Sequence, residues 1–256
     1  DRVCLFLPNC IDLLHCWFGL SLLGAICVPI NTAYKRDEMA YILNHAAAKV
    51  LVAHHSMMTV ADGAVAQAKG IQHKLKVGGS RALELGWISF SESMIPDSVP
   101  SSIPVLSPQD VSMLVYTSGT TGNPKGVQVT HQMYVAAGQG FAYWTNATVE
   151  DRFFTCLPYF HANAQYYSTI GAMAVGATVV VADRFSASRF WSQVRESRAT
   201  IVNFIGMMLP VLAKQPLSVS DRQHDVRLMY GSPSFPSDFL RDFEVRCGVE
   251  DRKSTR

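Results

Sequence analysis

Between Tyr116 and Gly126 the chain reads YTSGTTGNPKG, which sets four aliphatic hydroxyls, three glycines and one lysine between two apolar runs. Glycine and proline at this density leave the backbone too free for a helix or the middle of a strand. The same features suit a loop that closes around an anion. Glycines let the backbone approach closely, bare amides and hydroxyls donate hydrogen bonds, and a lysine adds a point charge. Phosphate is the natural guest, with Thr117, Ser118, Gly119, Thr120, Thr121, Gly122, Lys125 and Gly126 as its holders. The plain alternative is a flexible Ser/Gly turn.

The familiar nucleotide loop, GxxxxGK[ST], runs from a strand into a helix whose N-terminus meets the phosphates. Here Lys125 stands three residues after Gly122 and is followed by Gly126, and VQVT then alternates like a strand before Thr130 caps a helix. Strand, loop, strand is therefore expected, with hydroxyls and loop amides in place of a helix dipole.

Other reactive side chains point less far. His54 and His55 are adjacent, so on a strand they face opposite sides, and no metal site is expected there or elsewhere. The six cysteines, at 4, 10, 16, 27, 156 and 247, form no CxxC pair and have no histidine at finger-like spacing. They read as reduced core thiols, which favours the cytoplasm. Charge is nearly balanced, 22 Lys and Arg against 20 Asp and Glu, with no basic stripe beyond the tail DRKSTR at 251–256, so nucleic acid is not an expected partner.

These groups need a scaffold, and the composition, 48% hydrophobic and 16% charged over 256 residues, is that of a compact globular protein. Short β-branched runs alternate with helix-length amphipathic stretches: VCLFLP, a helix from about Ile11, AICVPI, KRDEMAYILNHAAA, KVLVAH and MMTVADGAVAQAK. CWFGLSLLGAICVPI, from 16 to 30, is too short for a membrane span and reads as a buried helix running into a strand. After a Ser- and Pro-rich connection at 92–110 the alternation resumes with SMLVYT, the glycine loop, GVQVT, a helix after Thr130, RFFTCLP, a helix near 164–174, ATVVVA, a helix from Ala187, ATIVNFI, another helix and VRLMY. The expected fold is α/β, with mostly parallel sheets flanked by helices. One lobe is expected over 1–91 and a second, carrying the glycine loop, over 111–250.

YTSGTTGNPKGV, with Thr130 and His131 beyond it, resembles the signature loop of the adenylate-forming superfamily, the AMP-binding enzymes that include acyl-CoA synthetases. VPINTAYKRDEMAYIL, LPYFHANA at 157–164, FSASRFWSQVRESRATIVNFIGMML and LMYGSPSFP are similar to later stretches of the same family. Ala-Asn-Ala after His161 and FSASRFW bring the carnitine and crotonobetaine CoA ligases and medium-chain acyl-CoA ligases closest. The resemblance implies the layered αβαβα N-terminal domain of these enzymes, incomplete, over 1–250. It also implies ATP-dependent activation of a carboxylic acid and transfer to CoA, with ATP, Mg2+ and CoA taking part.

On that resemblance the acyl pocket falls to Tyr159, Phe160, His161, Asn163, Gly206 and Met207, and the adenine loop to Gly231, Ser232 and Pro233. The residues alone leave each open: His161 is either a pocket group or a packed histidine, Tyr159 and Met207 either walls or core, and Gly231 to Pro233 either an adenine contact or a turn. The family's later segments, a YGxTE-type motif, a ribose aspartate and a C-terminal lysine, do not appear after Val249. The chain reads as an N-terminal part, expected to be catalytically silent alone. The alternatives are a nucleotide- or acyl-binding remnant, or an adenylating enzyme with a different acceptor.

Overall fold

In the computed structural model, residues 1–79, 86–94, 102–117, 122–216 and 218–249 are described. They form two compact units that divide between Met133 and Tyr134. The first holds β1 (Arg2–Phe6), α1 (Ile11–Leu22), β2 (Ile26–Pro29), α2 (Arg36–His45), β3 (Val50–His54), α3 (Met58–Val65), β4 (His73–Val77), β5 (Trp87–Ser89), α4 (Phe90–Ser93), β6 (Val111–Thr117) and β7 (Lys125–Thr130). Its strands make one seven-stranded sheet in the order β5-β4-β3-β1-β2-β6-β7. All neighbours are parallel except β6 and β7, which form an antiparallel pair.

The face on which each helix lies follows from the two-residue period of the strands. Cys4 and Phe6 of β1 and Leu51 and Ala53 of β3 point to one side, where they meet Met39, Ile42 and Leu43 of α2 and Ala61 and Ala64 of α3. Right-handed crossovers require this, since β2 to β3 and β3 to β4 move the same way across the sheet. Step β1 to β2 moves the other way. α1 buries Leu13, Cys16 and Trp17, while Ile11, Leu22 and, just beyond it, Leu23 stay exposed, so the apolar run at 16–30 is a helix running into strand β2 as expected, with the helix half-buried rather than fully buried.

The second unit holds α5 (His131–Thr145, opened in the first unit), β8 (Arg152–Thr155), a π-helical stretch over 164–170 continued by α6 (Gly171–Val175), β9 (Thr178–Val181), α7 (Phe190–Glu196), β10 (Ile201–Ile205), α8 (Met208–Ala213), β11 (Leu228–Ser232) and α9 (Ser237–Cys247). Its four strands are all parallel, in the order β11-β10-β8-β9. Consecutive phenylalanines serve opposite faces. Phe153 packs with Phe141 of α5 and Ala172 of α6, whereas Phe154 meets Phe190 of α7 edge-on at 5.9 Å.

A buried carboxylate ties the entry of β8 to its neighbours. Asp151 accepts two hydrogen bonds from Arg227, at 2.9 and 2.7 Å, and one from Thr200 Oγ1 at 2.7 Å. Burial alone would push its pKa up, but these donors and the Thr148 amide outweigh it and hold Asp151 below the usual carboxylate value.

β6 and β7, which carry the glycine loop, complete the sheet of the first unit. Thr130 caps α5 as expected, accepting from the Met133 amide at 3.2 Å. The helix expected from Ala187 starts at Phe190. Five cysteines are buried and Cys10 is half-buried, all unpaired. Burial raises every one of their pKa values, Cys16 and Cys156 to about 12. Among the described residues no helix is long and apolar enough to cross a membrane.

Candidate functional site

The glycine loop is carried by a hairpin. β6 runs out and β7 returns, with Val115 opposite Val127, Tyr116 opposite Gly126 and Thr117 opposite Lys125. Thr117 and Lys125 are thus a facing pair at the hairpin's open end, both exposed. Gly122 lies in the returning turn, and Ser118, Gly119, Thr120 and Thr121 lie outside the described residues. Gly126 has a packing reason to be glycine: a Cβ there would stand 3.2 to 3.4 Å from the Tyr116 ring. The hairpin therefore offers a cation and a hydroxyl at the mouth of the loop.

Two α2 residues meet this hairpin. Tyr41 donates to the Pro124 carbonyl at 3.2 Å, and His45 Nδ1 lies 2.7 Å from the Tyr116 hydroxyl. Beside them is an open cleft of about 470 Å³ lined by Tyr34, Asp37, Glu38, Tyr41, Gly122, Asn123 and Pro124. Asp37 is bonded to Arg36 and Gln67, and Glu38 to the Lys35 amide. Two carboxylates make this cleft a poor seat for a polyphosphate.

In the second unit the predicted residues collect by topology. Since all four strands are parallel, the loops after β8, β10 and β11 leave the same edge of the sheet. The chain steps from β8 to β9 on one side, then crosses to β10 and β11 on the other, so β8 and β10 flank the topological switch point. In open α/β sheets ligands bind in the crevice there. The loop after β8 carries Tyr159, Phe160 and His161, with Asn163 at the start of the helix that follows, the loop after β10 carries Gly206 and Met207, and β11 ends in Gly231 and Ser232, followed by Pro233.

Each residue has a definite setting. Tyr159 is 2% exposed and its hydroxyl bonds Thr169 at 2.7 Å. Burial raises its pKa to about 12 despite that bond. Phe160 is half-buried and its ring stands 4.6 Å from that of His161, which solvent reaches. Crowding by its surroundings holds the His161 imidazole below its ordinary pKa, which favours the neutral ring. Met207 is 69% exposed. Gly206, at φ +46°, donates to the Ser232 carbonyl at 2.8 Å, which joins the expected acyl and adenine segments directly. Gly231 sits so close to β10 that a Cβ would come 2.1 Å from the Phe204 carbonyl oxygen.

Behind this edge lies a buried polar network that residue patterns did not single out. Gln165, fully buried, accepts from Tyr134 at 2.6 Å and donates to the Tyr159 carbonyl at 2.5 Å. Asn203, 1% exposed on β10, donates to Asn163 Oδ1 at 2.9 Å and to Ser168 Oγ at 2.8 Å. The only signal in the sequence is a polar residue inside the apolar run IVNFI. The π-helical turn over 164–170, a form that recurs at functional sites, places Gln165, Ser168 and Thr169 all inward.

His54 and His55 do not diverge as a continuous strand would require. β3 ends at His54 and the chain turns into a short 3-10 helix, so the two rings stand 4.3 Å apart. Among the described residues no group of three or more His, Cys, Asp or Glu side chains is placed to hold a metal.

The profile of the AMP-binding enzyme family matches residues 1–253. The chain belongs to that family. Its sequence is 36% identical over 231 residues to crotonobetaine/carnitine–CoA ligase from Escherichia coli, covering 89% of this chain and 44% of that relative, so it spans rather less than half the relative's length. The N-terminal domain of FACL13 from Mycobacterium tuberculosis superposes with a TM-score of 0.80 at 26% identity, covering all of this chain (100%) and 62% of that one. The anthranilate CoA ligase AuaEII bound to anthranoyl-AMP gives a TM-score of 0.88 over 98% of this chain and 49% of that one, and at 24% identity it speaks for the fold alone.

Proposed function

We propose that the protein takes part in ATP-dependent activation of a carboxylic acid and its transfer to CoA. The observation that carries this reading is the facing pair of Thr117 and Lys125 at the mouth of the hairpin loop, in a chain 36% identical to a crotonobetaine/carnitine–CoA ligase. In the first step a carboxylate oxygen bonds to the α-phosphorus of ATP, and the bond to the bridging oxygen breaks to release pyrophosphate. In the second, the CoA sulfur bonds to the acyl carbon and AMP leaves with the electron pair of the broken C–O bond.

Negative charge grows on the departing pyrophosphate, and Lys125 with the hydroxyls of Thr117, Ser118, Thr120 and Thr121 stabilises it by donating hydrogen bonds and supplying a positive charge. Gly119, Gly122 and Gly126 allow the close approach. Phe160, His161, Asn163, Gly206 and Met207 form the acyl side at the switch point, with Tyr159 packed beneath them. A neutral His161 orients the incoming carboxylate by donating a hydrogen bond without neutralising the nucleophile. Gly231, Ser232 and Pro233 meet the adenine. The described residues supply no carboxylate cluster for magnesium, which enters this reading as the counter-ion of the ATP phosphates. Buried, unpaired thiols support a reducing, cytoplasmic setting.

The test is pyrophosphate release and thioester formation with ATP, magnesium, CoA and a panel of short and medium acids, on the chain and on a form completed to its relatives' length. Acid-dependent pyrophosphate release by the completed form, lost in Lys125→Ala, is expected. Absence of acid dependence across the panel sinks the reading.

A further inference from the structure

Both legs of the β6–β7 hairpin are tied to one face of α2. On the outgoing leg the Tyr116 hydroxyl lies 2.7 Å from His45 Nδ1, and on the return leg the Pro124 carbonyl accepts from Tyr41 at 3.2 Å. Tyr41 and His45 are four residues apart, one turn on along the same helix face. Their rings stack with centroids 5.3 Å apart, and His45 meets the Tyr116 ring edge-on at 5.7 Å. The pair is one continuous aromatic strut with a hydrogen bond at each end.

The strut stands on a rigid base. Met39, Ile42 and Leu43 of α2 are at most 1% exposed, so the helix cannot shift without disturbing close-packed core. What it holds matters equally. The Pro124 carbonyl belongs to the peptide plane that leads into Lys125, so fixing that oxygen fixes the direction in which Lys125 leaves the turn. Tyr116 directly precedes Thr117, and burial, with Cys4 and Tyr41 close by, raises the Tyr116 phenol to about 12, so it remains a neutral hydroxyl. The bonds of Tyr41 and His45 go to Pro124 and Tyr116, the neighbours in sequence of Lys125 and Thr117.

We propose that Tyr41 and His45 are positioning residues that set the separation and direction of the two ends of the polyphosphate-binding loop, so that Thr117 and Lys125 face the anion before it arrives. This rests on the phosphate-binding reading of Lys125. A loop whose ends are held in advance gives up less conformational freedom on binding, and that saving appears as affinity.

Inorganic tripolyphosphate is the probe, titrated by calorimetry into the chain and into Tyr41→Phe, His45→Phe, the double variant, His45→Gln and Lys125→Ala. Amide hydrogen exchange is read at Gly126 and Val127. Each single Phe variant is expected to weaken binding by about three- to tenfold, the size of one neutral hydrogen bond, and the double variant by more. Exchange at Gly126 and Val127 quickens while the β1 and β3 amides keep theirs. His45→Gln, which retains a group able to bond Tyr116, recovers part of the loss.

Undiminished affinity in the double variant, with Lys125→Ala having lost it, overturns the strut and leaves the phosphate reading standing. Wild-type affinity in Lys125→Ala overturns the phosphate reading and the strut with it. Should the double variant unfold, Tyr41→Phe decides alone, because it removes one oxygen and leaves the ring packed: unchanged affinity there overturns the proposal.

Discussion

The hairpin mouth in the first unit and the switch-point edge in the second solve different problems. At the mouth, the reactive side chains are exposed, carried on an antiparallel turn at the rim of a sheet, and positioned by contacts made behind them. At the edge, polar side chains are buried within a parallel sheet and bonded mainly to one another. An exposed lysine contributes to binding and charge stabilisation but little to folding, whereas a buried amide or carboxylate contributes to both, because leaving its partner unmatched carries a desolvation penalty. Function and stability should therefore separate under mutation at exposed side chains such as Lys125 and stay coupled at the buried polar groups of the second unit.

The sharpest way to break that contrast is Lys125→Ala in the completed form. Pyrophosphate-forming turnover is expected to fall about ten- to a thousandfold. The chain's melting temperature should stay within about 2 °C, because an exposed side chain away from core and caps contributes little to stability. A large drop in melting temperature would show that the hairpin mouth is structural.

Asp151→Asn tests a buried polar group of the second unit, at the end of β8 opposite the switch-point edge. Arg227 is partly exposed, so solvent moderates the loss, and a destabilisation of about 2 kcal/mol in urea unfolding is expected rather than the full cost of breaking a buried pair. The sign with pH follows from the lowered pKa of Asp151. Its contribution is present above the unfolded-state value, about 4, and is lost as pH falls through the lower folded value. The gap between wild type and Asp151→Asn should narrow as the pH falls below about 4, and a gap that stays unchanged on acidification would contradict the assignment.

Two glycines give a finer comparison. Gly231→Ala drives a methyl into the Phe204 carbonyl, a backbone atom that cannot swing away, and about 1 to 3 kcal/mol of stability should be lost. Gly126→Ala meets only the Tyr116 ring at 3.2 Å or more, and less than about 1 kcal/mol is expected. Equal losses in thermal unfolding would remove the distinction. The smallest stability change belongs to His161→Ala, where solvent reaches the side chain: under about 0.5 kcal/mol, with the acid's KM in the completed form shifted several-fold and that of ATP held. A shift confined to ATP would move His161 out of the acyl side.

Much of this was legible in the residues. The period-two runs VCLFLP, KVLVAH and ATIVNFI gave β1, β3 and β10, because a strand buried between helices has few ways to be written. VQVT after the glycine loop announced a returning strand, and Thr130 announced α5. Contacts between distant segments were not legible. Tyr41 and His45 look like ordinary members of an amphipathic helix until the hairpin is laid against them, and Asn203 looks like a flaw in an apolar strand until Asn163 and Ser168 arrive. The division between the two units falls within α5, a continuous helix, and nothing in the residues around Met133 marks it. The adjacent histidines were misplaced because nothing in KVLVAHH marks the residue at which β3 stops.

The burial of the thiols makes the molecule its own reporter of unfolding. Thiolate is the reactive species, and burial both raises the pKa and blocks access at five of the six cysteines. Cys10, half-buried at the foot of α1, should take an alkylating label first. The others lie on β1, on α1, on β2, just beyond β8 and at the end of α9. The order in which a maleimide reaches them would time the opening of each unit separately, Cys4 and Cys27 for the first and Cys156 for the second.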